Sequence, residues 1–486
     1  AHPMKLNEVA MRLSCTEADL ADITRALKRA NSEFSLLYPG DSSERQPVHS
    51  VYGGANLFKA GSARKLGQLA LNALKENAAN YLQFAHAMGL PGASHLPVHA
   101  PEQEALLQQP RTALSAEALF AEKVYQRVVF KLENEPVEDQ RVDFEDGYGN
   151  RPDAEEDGHA ITAAEEIAKG MAEKTLPPYI GIRVKTFSEE CYPRAVRTLD
   201  LFLTHLAQLT DARLPDNFVI TLPKVVHADQ VSALTAILDV LEHKLGFASG
   251  SLKIEIMVET PQAIIGASGT NELINMIKAA KGRCRGAHFG TFDYTASVGI
   301  TAAHQAHKHA ASDFARHAMQ VALAGTGVML SDGVTTQMPI GPHKGSAEKP
   351  LTDQQREENR RVVHSAWKIH FDNVWHSLVH GYYQGWDLNP AQLPVRYAAV
   401  YAFFLQGLPD ASRRLQAFIN KAAQATLSGN NFDDAATGQG LLNFFLRGIA
   451  CGAITEEEAL ATGISIEELR TRSFLTIVKN RAEQKK

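Results

Sequence analysis

The sequence predicts an α/β protein folded as a (β/α)8 TIM barrel, with an N-terminal helical extension and a C-terminal helical domain. From about residue 140 a unit recurs: a short β-prone run, a polar turn, then a helical stretch. The runs begin near 141, 179, 218, 253, 286 and 327, a spacing suited to parallel strands joined by crossover helices. "VHSVYGG" at 48–54 and "YQGWDL" from 383 supply a first and a last strand. The count of eight favours a closed barrel over an open sheet.

Helical patterns at about 16–33, 63–88 and 115–130 precede the second strand, and others at about 394–427 and 438–482 follow the barrel. The predicted division is therefore 1–135, an extension that includes the first barrel strand; 136–393, the barrel; and 394–486, the C-terminal helical domain. "NEPVEDQR" and "PIGPHKGSAEKPLTDQQ" read as surface loops, and "LSGNNFDD" as the end of one helix and the start of the next.

Composition narrows the function classes. The chain has 486 residues, a net charge of −6 and 44% hydrophobic residues, which suits a globular protein of one large domain and a smaller one. No apolar run approaches the ~18 residues of a membrane span, and the start lacks the basic-then-apolar order of a secretory signal. A cytoplasmic protein without a membrane partner is expected, and Met4 is the expected native start. The mild acidity and the absence of a basic stripe argue against nucleic acid. Cys15, Cys191, Cys284 and Cys451 stand singly, outside any two-residue pairing, and are expected to be reduced.

"VDFEDGYG", residues 142–149, places Asp143, Glu145 and Asp146 in an otherwise apolar strand. Alternate side chains of a strand face opposite ways. Val142 and Phe144 thus share one side, Asp143 and Glu145 the other. The same parity sets Arg183 and Lys185 against Ile180, Ile182 and Val184, and Glu255 and Glu259 against Ile254, Ile256 and Val258. Residues at the C-terminal ends of barrel strands line the active-site mouth. "GAHFGTFDYTAS" adds Asp293, and "VITLPKV" adds Lys224 just past a strand end. Glu259 and Asp293, with an arginine opposite, make a hard-cation site with positions left for substrate and water, and Mg²⁺ (or Mn²⁺) is the expected ion. The competing reading is a set of ion pairs that plugs the barrel. Asp143, deeper in its strand, is either the partner of an inward arginine or a site residue.

The histidines carry less. His304, His307, His309 and His317 fall where the helix after the sixth strand should run, and a solvated helix is expected there. His364, His370, His376 and His380 are expected to be half-buried packing and hydrogen-bonding groups. Neither a P-loop nor G-x-G-x-x-G follows any strand.

Taken in order, "VDFEDG", "GIRVK", "LPKV", "IEIMVETPQAI" and "GTFDYTASVG" resemble the barrel motifs of the malate synthase and citrate lyase β-subunit (HpcH/HpaI aldolase-like) superfamily, and "GYYQGWDLNPAQL" resembles its closing segment. "NNFDDAATGQGLLNFFLRGIACGAIT" is similar to the malate synthase stretch that opens a C-terminal helix. The chain departs from that family where "GYGNRPDAEED" follows the acidic strand and where "TFDY" replaces Arg-Trp-Asp-Tyr.

What the resemblance implies is a Mg²⁺-dependent Claisen condensation of an acyl-CoA, acetyl-CoA, with an α-oxo acid such as glyoxylate. It implies Glu259 and Asp293 as metal ligands and the backbone N–H groups of Phe292 and Asp293 as donors to the oxo-acid carboxylate. Asp434 is the implied base that removes a thioester methyl proton, and Arg183 the stabiliser of the enolate oxygen. Glu145 and Asp146 belong to the metal's inner or outer surroundings through water, and Lys224 is a polar contributor to substrate binding. Two alternatives stand beside this: a metal-dependent lyase or aldolase of the citrate lyase β type, and a non-catalytic barrel that binds an oxo acid. A homo-oligomer is compatible with either.

Overall fold

The computed structural model describes residues 11–40, 42, 44–425 and 435–485. Eight parallel strands close a barrel in sequence order: β1 (His49–Gly54), β2 (Asp139–Asp143), β3 (Tyr179–Arg183), β4 (Phe218–Leu222), β5 (Lys253–Val258), β6 (Cys284–Phe289), β7 (Met329–Val334) and β8 (Gln384–Asp387). β8 pairs with β1, so no sheet edge is left open. The expected (β/α)8 barrel is the fold.

Helix α1 (Glu17–Leu37) precedes β1. Between β1 and β2 run α2 (Ser62–Asn77), α3 (Tyr81–Met88), α4 (Ala100–Leu107) and α5 (Ala116–Asn134). The crossovers that follow carry α6 (Asp153–Glu173), α7 (Tyr192–Thr210), α8 (Ala228–Leu245), α9 (Pro261–Ile264) with α10 (Leu273–Ala279), α11 (Thr291–Ser297) with α12 (Ala310–Leu323), and α13 (Asp353–Val379). After β8 come α14 (Leu393–Ala425), α15 (Ala435–Ala450), α16 (Glu456–Leu460), α17 (Ile466–Thr471) and α18 (Phe474–Gln484). Among the described residues no helix is long and apolar enough to cross a membrane.

The single helical pattern read at 63–88 is two helices, because the Asn80 side chain accepts from the N–H groups of Leu82 and Gln83 and starts α3 anew. The pattern at 438–482 is four helices. Gly452 and Gly463 lie at φ +86° and +85°, and capping boxes at Thr455 and Ser465 restart the chain.

Two apolar cores result. The outer faces of β2 to β6 pack under α6, α7, α8, α10 and α12 through residues such as Val142, Ile182, Ile220, Ile256 and Phe289. On the β1–β8 side, α2, α3, α5, α13, α14 and the C-terminal helices share a second core around Trp367, Tyr397, Tyr401 and Phe445. Helix α15 packs antiparallel on α14, with Phe444 against Phe404 and the Tyr401 hydroxyl donating to Cys451 O at 2.9 Å. Its Arg447 donates to Gln46 Oε1 at 2.9 Å and stacks on Tyr383. Gln46 and Tyr383 precede β1 and β8, so α15 sits at the N-terminal end of the barrel, opposite the mouth.

The barrel interior is polar where branched apolar layers are usual. Buried Arg141 on β2 donates through Nε to Glu255 Oε1 (2.9 Å) and to Thr221 Oγ1 (3.1 Å), and it also pairs with Asp139. His288 Nε2 lies 3.1 Å from Glu255 Oε2. Glu255, which parity grouped with Glu259, is therefore locked one layer below the mouth. Burial opposes its ionisation, but the Arg141 charge and His288 hold its carboxyl well below the usual range.

Candidate functional site at the barrel mouth

Five strand ends build the mouth. Asp143 closes β2, and Arg183 closes β3 in register with it. Both are buried. Arg183 Nε donates to Asp143 Oδ1 at 2.8 Å and Nη2 to Oδ2 at 2.6 Å, a two-point fork. Asp143 is thus the partner of an inward arginine, and its remaining reach caps the loop: Oδ1 accepts from Glu145 N–H and Oδ2 from Gly147 N–H, each at 2.9 Å. A Cβ on Gly147 would stand 2.5 Å from Asp143 Oδ2, so the turn needs glycine there. Arg183 Nη1 is left toward the mouth, 3.3 Å from Glu145 Oε1 and 3.4 Å from Met257 Sδ.

The rings of Tyr52 on β1 and Trp386 on β8 cover the same guanidinium at 4.7 and 5.1 Å. The sequence reading missed both, although each stands at an inward position of its strand. Arg183 is held more firmly protonated than usual, because Asp143 and Glu145 outweigh its burial.

Lys224 follows β4 with φ +49°, a left-handed backbone rare outside glycine. That turn lets one residue serve two partners. Its N–H donates to Glu259 Oε2 at 2.7 Å, and its ammonium donates to Glu145 Oε2 at 2.6 Å and Asp146 Oδ2 at 2.7 Å. Asp293 Oδ2 lies 3.9 Å from the same ammonium. Burial would weaken the Lys224 charge, yet Glu259 and Glu145 raise its pKa above the ordinary value.

Glu259, one residue past β5, is 2% exposed. Burial pushes its carboxyl up to about 8, and the charge of Asp293 adds to the shift. Burial also raises the Glu145 carboxyl. Asp146 ends below its usual value, because hydrogen bonds from Lys224 and Glu145 overcome partial burial. A Cβ on Gly290 would stand 2.3 Å from Glu259 Cγ. Gly290 is what lets β6 pass close enough to bring Asp293, in the first turn of α11, beside Glu259. That first turn leaves the N–H groups of Thr291, Phe292 and Asp293 without intrahelical partners.

Of the expected set, Arg183, Glu259, Asp293, Lys224, Glu145, Asp146 and the Phe292 backbone thus meet at one mouth. Asp434 lies outside the described residues. Lys185 does not face the mouth: it stands beyond the end of β3, where strand parity lapses, and its ammonium reaches back to Phe144 O (2.5 Å) and to Glu156 of α6.

The His304–His317 stretch is only partly the solvated helix expected. His304 lies in a 3-10 turn, His309 caps α12, and buried His307 faces Ser377 Oγ at 2.9 Å, its pKa lowered to about 3 by burial. His370 is fully enclosed between Thr335 and Asp387, each 2.7 Å away. The four cysteines are free thiols.

Two carboxylates with hard oxygen donors, one of them desolvated and set against the other, fit a divalent cation that takes its remaining positions from water and substrate. Among the described residues no group of three or more His, Cys, Asp or Glu side chains forms a complete ligand cage.

Comparison with solved structures finds the Haloferax volcanii malate synthase magnesium/glyoxylate complex at 15% identity, with 91% of this chain and 99% of that chain covered and a TM-score of 0.42. The native form of that protein with glyoxylate matches at 14% identity, over 85% of this chain and 99% of the other, with a TM-score of 0.40. An HpcH/HpaI aldolase/citrate lyase family protein from Burkholderia cenocepacia matches at 11% identity, over 60% of this chain and 90% of its own, with a TM-score of 0.32. No curated protein matches the sequence. A family sequence model covers residues 27–477, and on that match the chain belongs to the family described as a domain of unknown function, DUF6986.

Proposed function

We propose that this chain is a Mg²⁺-dependent enzyme that makes or breaks a carbon–carbon bond beside the carbonyl of an α-oxo acid. The carrying observation is the charge balance of the mouth. Among the described residues, Asp143, Glu145, Asp146, Glu259 and Asp293 converge on only two cations, Arg183 and Lys224. A site so short of positive charge suits a divalent cation better than a set of closed ion pairs. Glu259 and Asp293 would hold the ion. When bound, it supplies Lewis-acid polarisation of the oxo-acid carbonyl.

The chain's own groups supply the rest. The first-turn N–H groups of Phe292 and Asp293 bind the oxo-acid carboxylate. Asp143 fixes the Arg183 fork so that Nη1 meets the oxygen of a developing enolate, in a pocket walled by Tyr52 and Trp386. Lys224 orients Glu145 and Asp146. Condensation of acetyl-CoA with glyoxylate, malate-synthase-like, is the first reading; it takes Asp434 as base on the strength of the sequence resemblance. The packing of α15 at the far end of the barrel favours a second, in which a lyase or aldolase uses the same mouth without a C-terminal base.

The test is incubation of the protein with Mg²⁺, glyoxylate and acetyl-CoA while free thiol is followed, beside calorimetry of glyoxylate with Mg²⁺. Thiol release supports condensation. Glyoxylate binding without thiol release moves the assignment to cleavage, assayed with hydroxyacyl-CoA and hydroxy-oxo acid substrates. Absence of Mg²⁺-dependent oxo-acid binding refutes both.

A further inference from the structure

Helix α1 is well formed and buries nothing. Its 21 residues start at a capping box between Thr16 and Asp19, and none of them is buried. The helix is tied to the body at its C-terminal end, where Gly40 N–H donates to Gly325 O at 2.8 Å. A helix of this length is marginal in water without a packed face.

It carries such a face. Leu20, Ile23, Leu27, Ala30, Phe34 and Leu37 follow one another at alternating steps of three and four residues, the seam of a heptad repeat. Leu20 is 42% exposed, Ile23 64%, Leu27 59% and Phe34 62%. Asp22, Arg25, Lys28 and Arg29 fall on the other faces. Between Leu20 and Phe34 the positions that flank the seam are Thr24, Ala26, Asn31 and Glu33. The first three are small and uncharged and let a like helix approach closely; Glu33 is the one charge beside the seam over that span.

We propose that this face is an oligomerisation surface, and that its occupant is α1 of a second copy of this chain. The area is sufficient. Six seam side chains from each of two helices, at ~60–120 Å² each, bury ~700–1,400 Å², which spans the ~1,000 Å² that a specific interface needs. A period of seven further implies a left-handed coiled pair in which each seam residue enters a hole on its partner. Ile23 and Leu27 are already exposed, so charging them costs the barrel no packing.

The experiment is light scattering on the full chain at micromolar concentration. Four proteins are compared: wild type, the double variant Ile23→Glu/Leu27→Glu, and two controls, Leu36→Glu off the seam on α1 and Val321→Glu on the exposed face of α12, which are 84% and 83% exposed in the native chain. Wild type is expected at two or more copies, the double variant at one, an at least two-fold fall in mass, with both controls unchanged. Circular dichroism should show the double variant losing helix while the barrel's unfolding midpoint holds. A single-chain mass for wild type overturns the proposal, whether or not the protein then binds lipid vesicles. So does an oligomer that survives in the double variant or dissolves in Val321→Glu.

Discussion

Asp143 grips Arg183 by two parallel hydrogen bonds, 2.8 and 2.6 Å, and in doing so leaves one edge of the guanidinium, Nη1, aimed at the mouth. Replacing Arg183 by Lys keeps the charge but loses both the planar fork and the stacking under Tyr52 and Trp386. Turnover is expected to fall on the order of 10²-fold or more, as on loss of one oxyanion donor. Oxo-acid affinity measured by calorimetry should change little, because the carboxylate is held elsewhere. Near-normal turnover in this variant removes Arg183 from the reaction.

Lys224 binds the mouth together from both ends of its residue. Lys224→Met keeps the chain length and removes the charge. Glu145, Asp146 and Asp293 then face one another without it, at an expected cost of about 1–2 kcal/mol, modest because the side chain is partly exposed. Mg²⁺ should recover part of that loss in thermal unfolding. If the metal-free variant unfolds at the wild-type temperature, the mouth is not held as described.

Glu259 gives the pH dependence a sign. Unfolded, its carboxyl loses the proton near 4.5; folded, burial and Asp293 keep it protonated to about 8. Between these values the folded state binds the extra proton, so the stability of the metal-free protein should fall as pH rises, by up to about 1.4 kcal/mol per pH unit, and level off above 8. A bound divalent cation takes the proton's place. Mg²⁺ affinity should therefore climb with pH up to about 8 and each binding event should release protons, both measurable by calorimetry in buffers of different ionisation enthalpy. Glu259→Gln should abolish the slope, the affinity and the turnover together. EDTA should stop turnover in the wild type, and Mg²⁺ or Mn²⁺ should restore it.

The barrel was legible because its signals are local. Each strand is a short apolar alternation, and the outward members, such as Ile180, Ile182, Ile254 and Ile256, mark by parity the inward ones, Arg183 among them. Parity fades within a residue or two of the strand end. Lys185 lies two residues past β3 and turned outward to Glu156, whereas Glu259, one residue past β5, still follows it. The helix breaks at Asn80, Thr455 and Ser465 also had local signatures, an Asn cap and two capping boxes, that a reading of apolar periodicity alone passed over. The grip of Tyr52 and Trp386 on one guanidinium was beyond local signals, since it joins the first strand to the last. So was the end of the barrel on which α15 settles, which is decided by Phe444 and Arg447 meeting Phe404 and Gln46.

Asp434 is where the two enzymatic readings part. A Claisen condensation needs a base for a weakly acidic thioester proton, and the carboxylates at the mouth are committed: Glu145 and Asp146 to Lys224, Glu259 to the Lys224 N–H and, with Asp293, to the proposed ion. Asp434→Asn is nearly isosteric and cannot accept that proton. In a condensing enzyme it should nearly eliminate thiol release and the exchange of acetyl-CoA methyl protons with deuterated water, while Mg²⁺ and glyoxylate binding persist. A lyase or aldolase that takes a bound water as its base would keep full cleavage activity in the variant. A barrel that only binds oxo acids would turn over in neither form. Helix α15, which directly follows Asp434 in sequence, packs at the end of the barrel opposite Glu259, so the variant also tests whether a base from this segment acts at a mouth that α15 does not line. Full activity in Asp434→Asn would transfer the assignment to the lyase reading, and loss of exchange with intact binding would secure the condensation.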